Sequence, residues 1–178
     1  MVVWTFIRKM SNSDLYLKLL RVAPLISSTA GLMCAWDQQF AFYSFTDKAV
    51  PQGPAGSTLP HWFPVIFRQL IWVVSIIHPL GGILGILNSV GAAGTALDPQ
   101  TRYLYLAGGL FAAGHLVYGK TAMRIIGTIW DANLPGSKNL GALPPWLRLN
   151  WWRIHTNNVP AVFFFLAALV SAVELKSA

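Results

Sequence analysis

Between Arg68 and Asp98 the chain carries no charged side chain. That run exceeds the roughly 20 apolar residues a helix needs to cross the hydrocarbon core of a bilayer. The rest of the chain offers little to wet it. Of its 178 residues, 54% are hydrophobic and only 11% charged, where a soluble domain carries about 25% charged residues. The mean hydropathy is +0.51. These figures exclude disorder, a coiled coil and an ordinary water-soluble enzyme, and they point to an integral membrane protein.

Three further apolar segments accompany the first. The spacing predicts spans over about 15–43, 64–91, 102–130 and 146–175, within a single domain covering 1–178. Ser11, Asn12 and Ser13 offer helix caps before the first. His78-Pro79 interrupts the second and predicts a kink there. The segment Thr46 to Pro60 reads as a loop, and Ala92 to Gln100 as a tight turn. Short connections imply antiparallel neighbours, so the expected fold is all-α: a four-helix up-down bundle in the bilayer. Gly108 with Ala112, and Gly109 with Ala113, have the small-xxx-small spacing of close helix packing. That spacing serves bundle packing or a homo-oligomer equally.

The 13 Lys and Arg outnumber the 6 Asp and Glu, for a net charge of +7. In a bilayer this excess belongs at lipid headgroups and not on nucleic acid. Six basic residues on the side of the N-terminus, second loop and C-terminus (Arg8, Lys9, Lys18, Arg21, Arg102, Lys176) face seven on the other. So even a distribution does not set the orientation in the membrane. The opening MVVWTFIRKMSNSD lacks the long apolar core of a cleaved signal. The chain is expected in the endoplasmic reticulum or another endomembrane. Cys34 is the one cysteine, which leaves no internal disulfide and no multi-cysteine zinc site.

Depth sorts the scarce polar residues. At a rise of ~1.5 Å per residue, Arg68, Arg124, Asp37 and Arg153 lie within about 10 Å of the face carrying the first and third loops. His155, Lys120, Asn157 and Asn158 lie at about 12–16 Å, and His78 and His115 at about 21 Å. All four segments thus send polar groups into one half of the membrane, and the opposite half reads as almost purely apolar. Intramembrane ionisable groups are costly and persist where they face a cavity or one another. Asn150, Arg153 and Asn157 share one helical stripe, while Trp151, His155 and Asn158 share the adjacent one. His115 and Tyr118 share a face of the third segment. Asp37 is a candidate partner for Arg153 or Arg124. Trp62, Trp130, Trp146, Trp151 and Trp152 read as an interfacial aromatic belt.

No HExxH, GxSxG, Walker or GxGxxG motif occurs. No two histidines stand at i, i+3 or i+4, so no metal site is assigned; a haem between His78 and His115 remains conceivable. What remains is acid–base and electrostatic chemistry on a lipophilic substrate arriving from the bilayer. A histidine beside an aspartate acts as general base, and an arginine with neighbouring amides stabilises an oxyanion. The carbanion so formed isomerises, cyclises or meets dioxygen. The candidate catalytic residues are His155, Arg153, Asp37 and His115. The candidate substrate-binding residues are Asn150, Asn157, Asn158, Trp151, His78, Tyr118 and Arg124.

The stretch WLRLNWWRIHTNNVP spaces Trp146, Asn150 and Arg153 as W-x3-N-x2-R, followed by Pro160. It resembles the last-helix signature of the small fungal anthrone oxygenase family of polyketide pathways. LPHWFPVIF, from Leu59 to Phe67, and DANLPGSKNL, from Asp131, are similar to that family's regions before its second span and after its third. In the latter, Asp131, Asn133 and Asn139 replace a compact Pro-Thr-Asn segment. The resemblance implies oxidation of an anthrone-type phenol to a quinone with dioxygen as co-substrate and no cofactor. Asn150 and Arg153 would hold the oxyanion, and His155 or His115 would take the proton. Arg153-Ile154-His155-Thr156-Asn157 also resembles the Arg-x-His-x-Asn run of the four-helix, glutathione-using membrane enzymes of eicosanoid metabolism. An acid–base isomerase or cyclase of a polyketide or terpenoid, and a non-catalytic membrane scaffold, are the remaining alternatives.

Overall fold

The computed structural model of the chain describes residues 12–174, all helices and short connections, with no strand among them. Ser11, the side chains of Asn12 and Ser13, Leu175, and the basic residues Arg8, Lys9 and Lys176 lie outside the described residues. Helix α1 spans Asn12–Ser44, α2 Gln52–Ser89, α3 Gly91–Thr95 and α4 Pro99–Gly114. A 3₁₀ turn, His115–Tyr118, leads into α5, Gly119–Trp130. Then come α6, Gly136–Gly141, and α7, Leu143–Arg153. A π turn, Ile154–Asn158, joins α7 to α8, Val159–Glu174. Three helical stretches are long and apolar enough to cross a membrane: Asp14–Ser44, Gln52–Ser89 and Gly136–Val173. The third apolar segment is not one helix, because the 3₁₀ turn divides it.

Two of the expected connections are helical. Most of 46–60 belongs to α2, which begins at Gln52 and carries Pro60, Pro64 and Pro79 inside it. Pro54 falls in the first turn, where backbone N–H groups have no helical acceptor and proline costs little. The expected turn at 92–100 holds α3, entered through Gly91 at φ +68°, a conformation that favours glycine.

Two hydrophobic clusters fill the interior. One is aromatic, built on Phe42, Phe63, Ile126, Leu143 and Trp146. The other is made of small residues around Tyr105 and Phe165, with Ala112, Ala161 and Ala168. The small-residue stripe of α4 is spent inside the chain. A Cβ on Gly85 of α2 would stand 2.7 Å from the Gly109 Cα and 2.8 Å from the Tyr105 carbonyl oxygen. A Cβ on Gly108 would stand 2.7 Å from the Phe165 ring. Only hydrogen on these α-carbons lets α2 and α8 approach α4 so closely.

The half expected to be purely apolar is not. Asn88 Nδ2 donates to the carbonyls of Leu20 and Leu84, both at 2.8 Å, and the Tyr105 hydroxyl to that of Arg21 at 3.0 Å. Arg102 Nε donates to the Ser89 carbonyl at 2.9 Å. The Ser89 carbonyl ends α2 with no helical donor beyond it, and the Leu20 carbonyl lacks one because Pro24, four residues on, has no N–H; such groups must be satisfied by side chains when water is excluded. At the other pole Asn139, fully buried, donates to the carbonyls of Thr128, Ile129 and Asp131 and closes the end of α5.

Between the clusters lies a polar layer, made where the 3₁₀ turn meets the π turn. Asn157 Nδ2 donates to the Phe111 carbonyl at 3.2 Å. In an unbroken α-helix that carbonyl would accept from the His115 amide, which instead bonds to Ala112, three residues back. A side chain inserted into the ladder is a recognised cause of such a break. Gly114 makes the insertion feasible, since the place of a Cβ there is taken by the Asn157 amide nitrogen. The π turn has its own cause. Pro160 has no N–H to give the Thr156 carbonyl and its ring crowds that carbonyl, and the Val159 amide bonds to Ile154, five residues back. Gly114→Ala is therefore expected to destabilise the fold by about 1–3 kcal/mol, and Asn157→Ala by about 1 kcal/mol. The double variant should cost less than the sum, because removing the amide frees the space the new methyl needs. Thermal unfolding of the four proteins in one detergent checks this, and strict additivity would refute it.

Candidate active site

Arg153 ends α7 with its guanidinium inside the bundle, 5% exposed. Its Nη2 donates to Asn150 Oδ1 at 2.6 Å and to Gln38 Oε1 at 3.4 Å. The guanidinium carbon stands 5.2 Å from the Trp146 ring centroid, a cation–π distance. Asn150 cannot turn its amide around. Its Nδ2 is held by the Ala35 carbonyl and Gln39 Oε1, both at 2.9 Å, which leaves the oxygen for the arginine. Every acceptor given to this buried charge is thus a neutral amide.

His115, also buried, places Nδ1 3.3 Å from Asn158 Oδ1. With the Asn158 oxygen as acceptor, Nδ1 donates and Nε2 holds the free lone pair, a tautomer set by that orientation of the amide. Nε2 is buried without a partner, and so are Arg153 Nε, Trp146 Nε1 and Asn158 Nδ2. Behind His115 the ring of His78 stacks at 3.5 Å and 13°. Gly31 makes room for that ring; a Cβ there would come 2.9 Å from His78 Cε1. The Tyr118 hydroxyl meets Thr156 Oγ1 at 2.9 Å and ties the two irregular turns together.

These groups border a cavity of about 160 Å³. Gln38, Ser75, His115 and Arg153 are its polar lining; the rest is apolar, including Phe42, Phe63, Phe67, Ile71 and Trp146. On one flank lie Leu116, Gly119 and Met123. Leu116 and Met123 are about half exposed, and a Cβ on Gly119 would meet nothing within 4 Å. The cavity therefore opens sideways, between the middle of α2 and the start of α5. There the two segments separate, after their close approach at Gly82, Gly85 and Gly109.

The structure brings together Arg153, Asn150, His115, His78, Asn157 and Asn158, and holds Tyr118 at the same junction through Thr156. It does not bring in four others. Asp37 is exposed on α1, and its neighbour Gln38 faces Arg153. His155 is exposed, with Nδ1 2.9 Å from the Trp151 carbonyl oxygen and its ring 3.9 Å from that of Trp151. Trp151 itself faces outward, and Arg124 is exposed on α5. Helix rotation explains the split: His155, two residues after Arg153, faces away from it, Asn157 at i+4 shares its face, and the π turn brings Asn158 in beside them. Trp146, expected in an interfacial belt, is instead a wall of the cavity. A haem between His78 and His115 does not fit, because axial imidazoles point edge-on at the iron, and these rings lie face to face 3.5 Å apart. Among the described residues no group of three or more His, Cys, Asp or Glu is placed to hold a metal ion.

Gln38 and Gly119 had no place in the sequence-based site. Gln38 follows Gly31 by seven residues and so shares its helix face, the available sign that it looks inward. Gly119 is set apart only by its position after the 3₁₀ turn.

Comparison with known proteins bears on what such a site does. No family model matches the chain, and no solved structure does. The chain is 31% identical to the probable epoxidase scpX of Mollisia scopiformis over 157 residues, 88% of this chain and 98% of that protein. It is 31% identical to the epoxidase gkaX of Penicillium citrinum over 157 residues, 88% of this chain and 96% of that one. With the epoxidase pydX of an Acremonium species the identity is 28% over 164 residues, 92% of this chain and all of that protein. These relatives bear the name of an epoxidase and not of an anthrone oxygenase. With such likeness over nearly its whole length, the chain belongs to the family of these fungal epoxidases.

Proposed function

We propose that the protein is a membrane-embedded oxygenase of fungal secondary metabolism, which uses dioxygen to epoxidise a lipophilic substrate drawn from the bilayer. The observation that carries this reading is the laterally open, apolar cavity that places a buried arginine and a histidine with a free Nε2 at its polar end. In this reading the chain crosses an endomembrane four times, up and down, the divided third segment included.

An enolisable or phenolic substrate makes the chemistry balance without a further reductant. His115 Nε2 takes an acidic proton, and Arg153, held in place by the Asn150 amide oxygen, stabilises the anion. The anion's carbon reduces dioxygen and binds it as a peroxide. The peroxide then attacks a neighbouring double bond of the substrate, an epoxide closes, and the O–O bond breaks. The departing hydroxide leaves as water with the proton held on His115. The substrate loses two hydrogens and gains one oxygen; the second oxygen atom becomes water. Anthrone oxidation to a quinone has the same balance, so the two products differ in where the peroxide collapses and not in what the residues do. The relatives' names favour the epoxide; the Trp146, Asn150 and Arg153 motif keeps the anthrone-type phenol as the second substrate. An isolated alkene would need two electrons from a separate reductant.

Two outcomes are expected. Membranes holding the protein should convert an acidic phenol or anthrone under air and leave it unchanged under argon, read as gain of one oxygen and loss of two hydrogens by mass spectrometry. Equal conversion under argon would refute the oxygenase. In the same assay Arg153→Gln and His115→Ala should lower kcat/KM by about 100-fold or more. Asp37→Asn and His155→Ala should stay within about threefold of the parent. The reverse ranking would return the chemistry to the outer face of α7.

A further inference from the structure

Among the described residues Arg153 has no anionic partner. Its acceptors are the amide oxygens of Asn150 and Gln38, its Nε has none, and no acidic side chain lines the cavity. A buried charge without a counter-ion costs far more than a paired one. The chain's six acidic residues include Asp37, one residue from Gln38, yet it is Gln38 that faces inward and Asp37 that faces out. The site is thus positive at its closed end and apolar along its walls, and it opens sideways where Gly119 leaves clear space.

We propose that the ligand binds already ionised and anion first: an acidic amphiphile whose carboxylate or phenolate oxygen meets Arg153, while the proton that His115 removes sits elsewhere on the ligand. Its apolar chain passes Phe63, Phe67 and Ile71 and leaves past Gly119, between α2 and α5, into the bilayer. This rests on the cavity being the substrate site, as in the reading above, and adds the ligand's charge and its direction. A neutral hydrocarbon would leave Arg153 without its counter-charge. A soluble anion would gain nothing from the apolar walls. Gly119 then sets specificity, because any side chain there enters the exit path.

The probe is a conjugated polyene fatty acid, cis-parinaric acid, compared with the alcohol of the same chain. The full-length protein is held in nanodiscs of neutral lipid at alkaline pH, with empty nanodiscs as baseline. Energy transfer from tryptophan reports binding, and Trp146 is a wall of the cavity. The acid should saturate one site and bind about 10- to 100-fold tighter than the alcohol, the range of a charge-assisted hydrogen bond. Arg153→Gln should reduce the acid to the affinity of the alcohol, and Arg153→Lys should restore part of the difference. Gly119→Phe should weaken both probes. Equal binding of acid and alcohol by the parent protein overturns the anion-first orientation, and needs no variant to fold. Undiminished binding by Gly119→Phe overturns the exit path. No turnover enters the measurement, so intact acid binding beside absent oxygen chemistry would sink the oxygenase and leave this proposal standing.

Discussion

A guanidinium held inside an apolar bundle is the constraint around which the rest of this protein is arranged. Removing such a charge from water costs on the order of several kcal/mol even after relaxation, so its surroundings must return hydrogen bonds in fixed directions. Asn150 does so because Ala35 and Gln39 lock its amide, and Gln38 does so from the facing helix. These bonds tie α1 to α7 at one level. The aromatic cluster closes one side of that level, and the small-residue cluster the other.

The same level is where both long apolar segments of the second half depart from α-helical geometry. The 3₁₀ turn exists because Asn157 takes the Phe111 carbonyl, and the π turn because Pro160 cannot bond back. Each irregularity supplies what the other needs. The wide turn brings Asn158 in beside Asn157, so that one amide breaks the facing helix and the other meets His115. A π bulge costs helix energy and is frequent at functional sites. Here it lets Asn158, five residues after Arg153, face the same interior as Arg153 and Asn157, which a regular period of 3.6 would not do.

Much of this was legible in the residues. The uncharged run from Gln69 to Leu97 predicts a helix long and apolar enough to cross a membrane, and the depth of the polar side chains puts Arg153, Asn157, Asn158 and both buried histidines in one half of the bundle, though at different depths and not at the one level they share. What failed did so for local reasons. Asp37 and His155 enter the predicted site by their depth, but helix rotation decides burial, and a one-residue step exchanges Asp37 for Gln38. The loop at 46–60 failed because glycine and proline were read as breakers, although in a first turn proline is tolerated. The polar far end is not legible because backbone carbonyls do not appear in a count of side chains, yet the Ser89 carbonyl at the end of α2 recruits Arg102, and the Leu20 and Arg21 carbonyls of α1 recruit Asn88 and Tyr105.

The proposed function rests on one claim, that an oxygen atom of O₂ is placed on a lipophilic substrate inside this cavity. The most direct measurement is turnover under ¹⁸O₂ in ordinary water, with the product followed by mass spectrometry. The account predicts a single ¹⁸O atom in the new epoxide or carbonyl, and the other in water. A product oxygen drawn from water, labelled only when H₂¹⁸O is supplied, would contradict it.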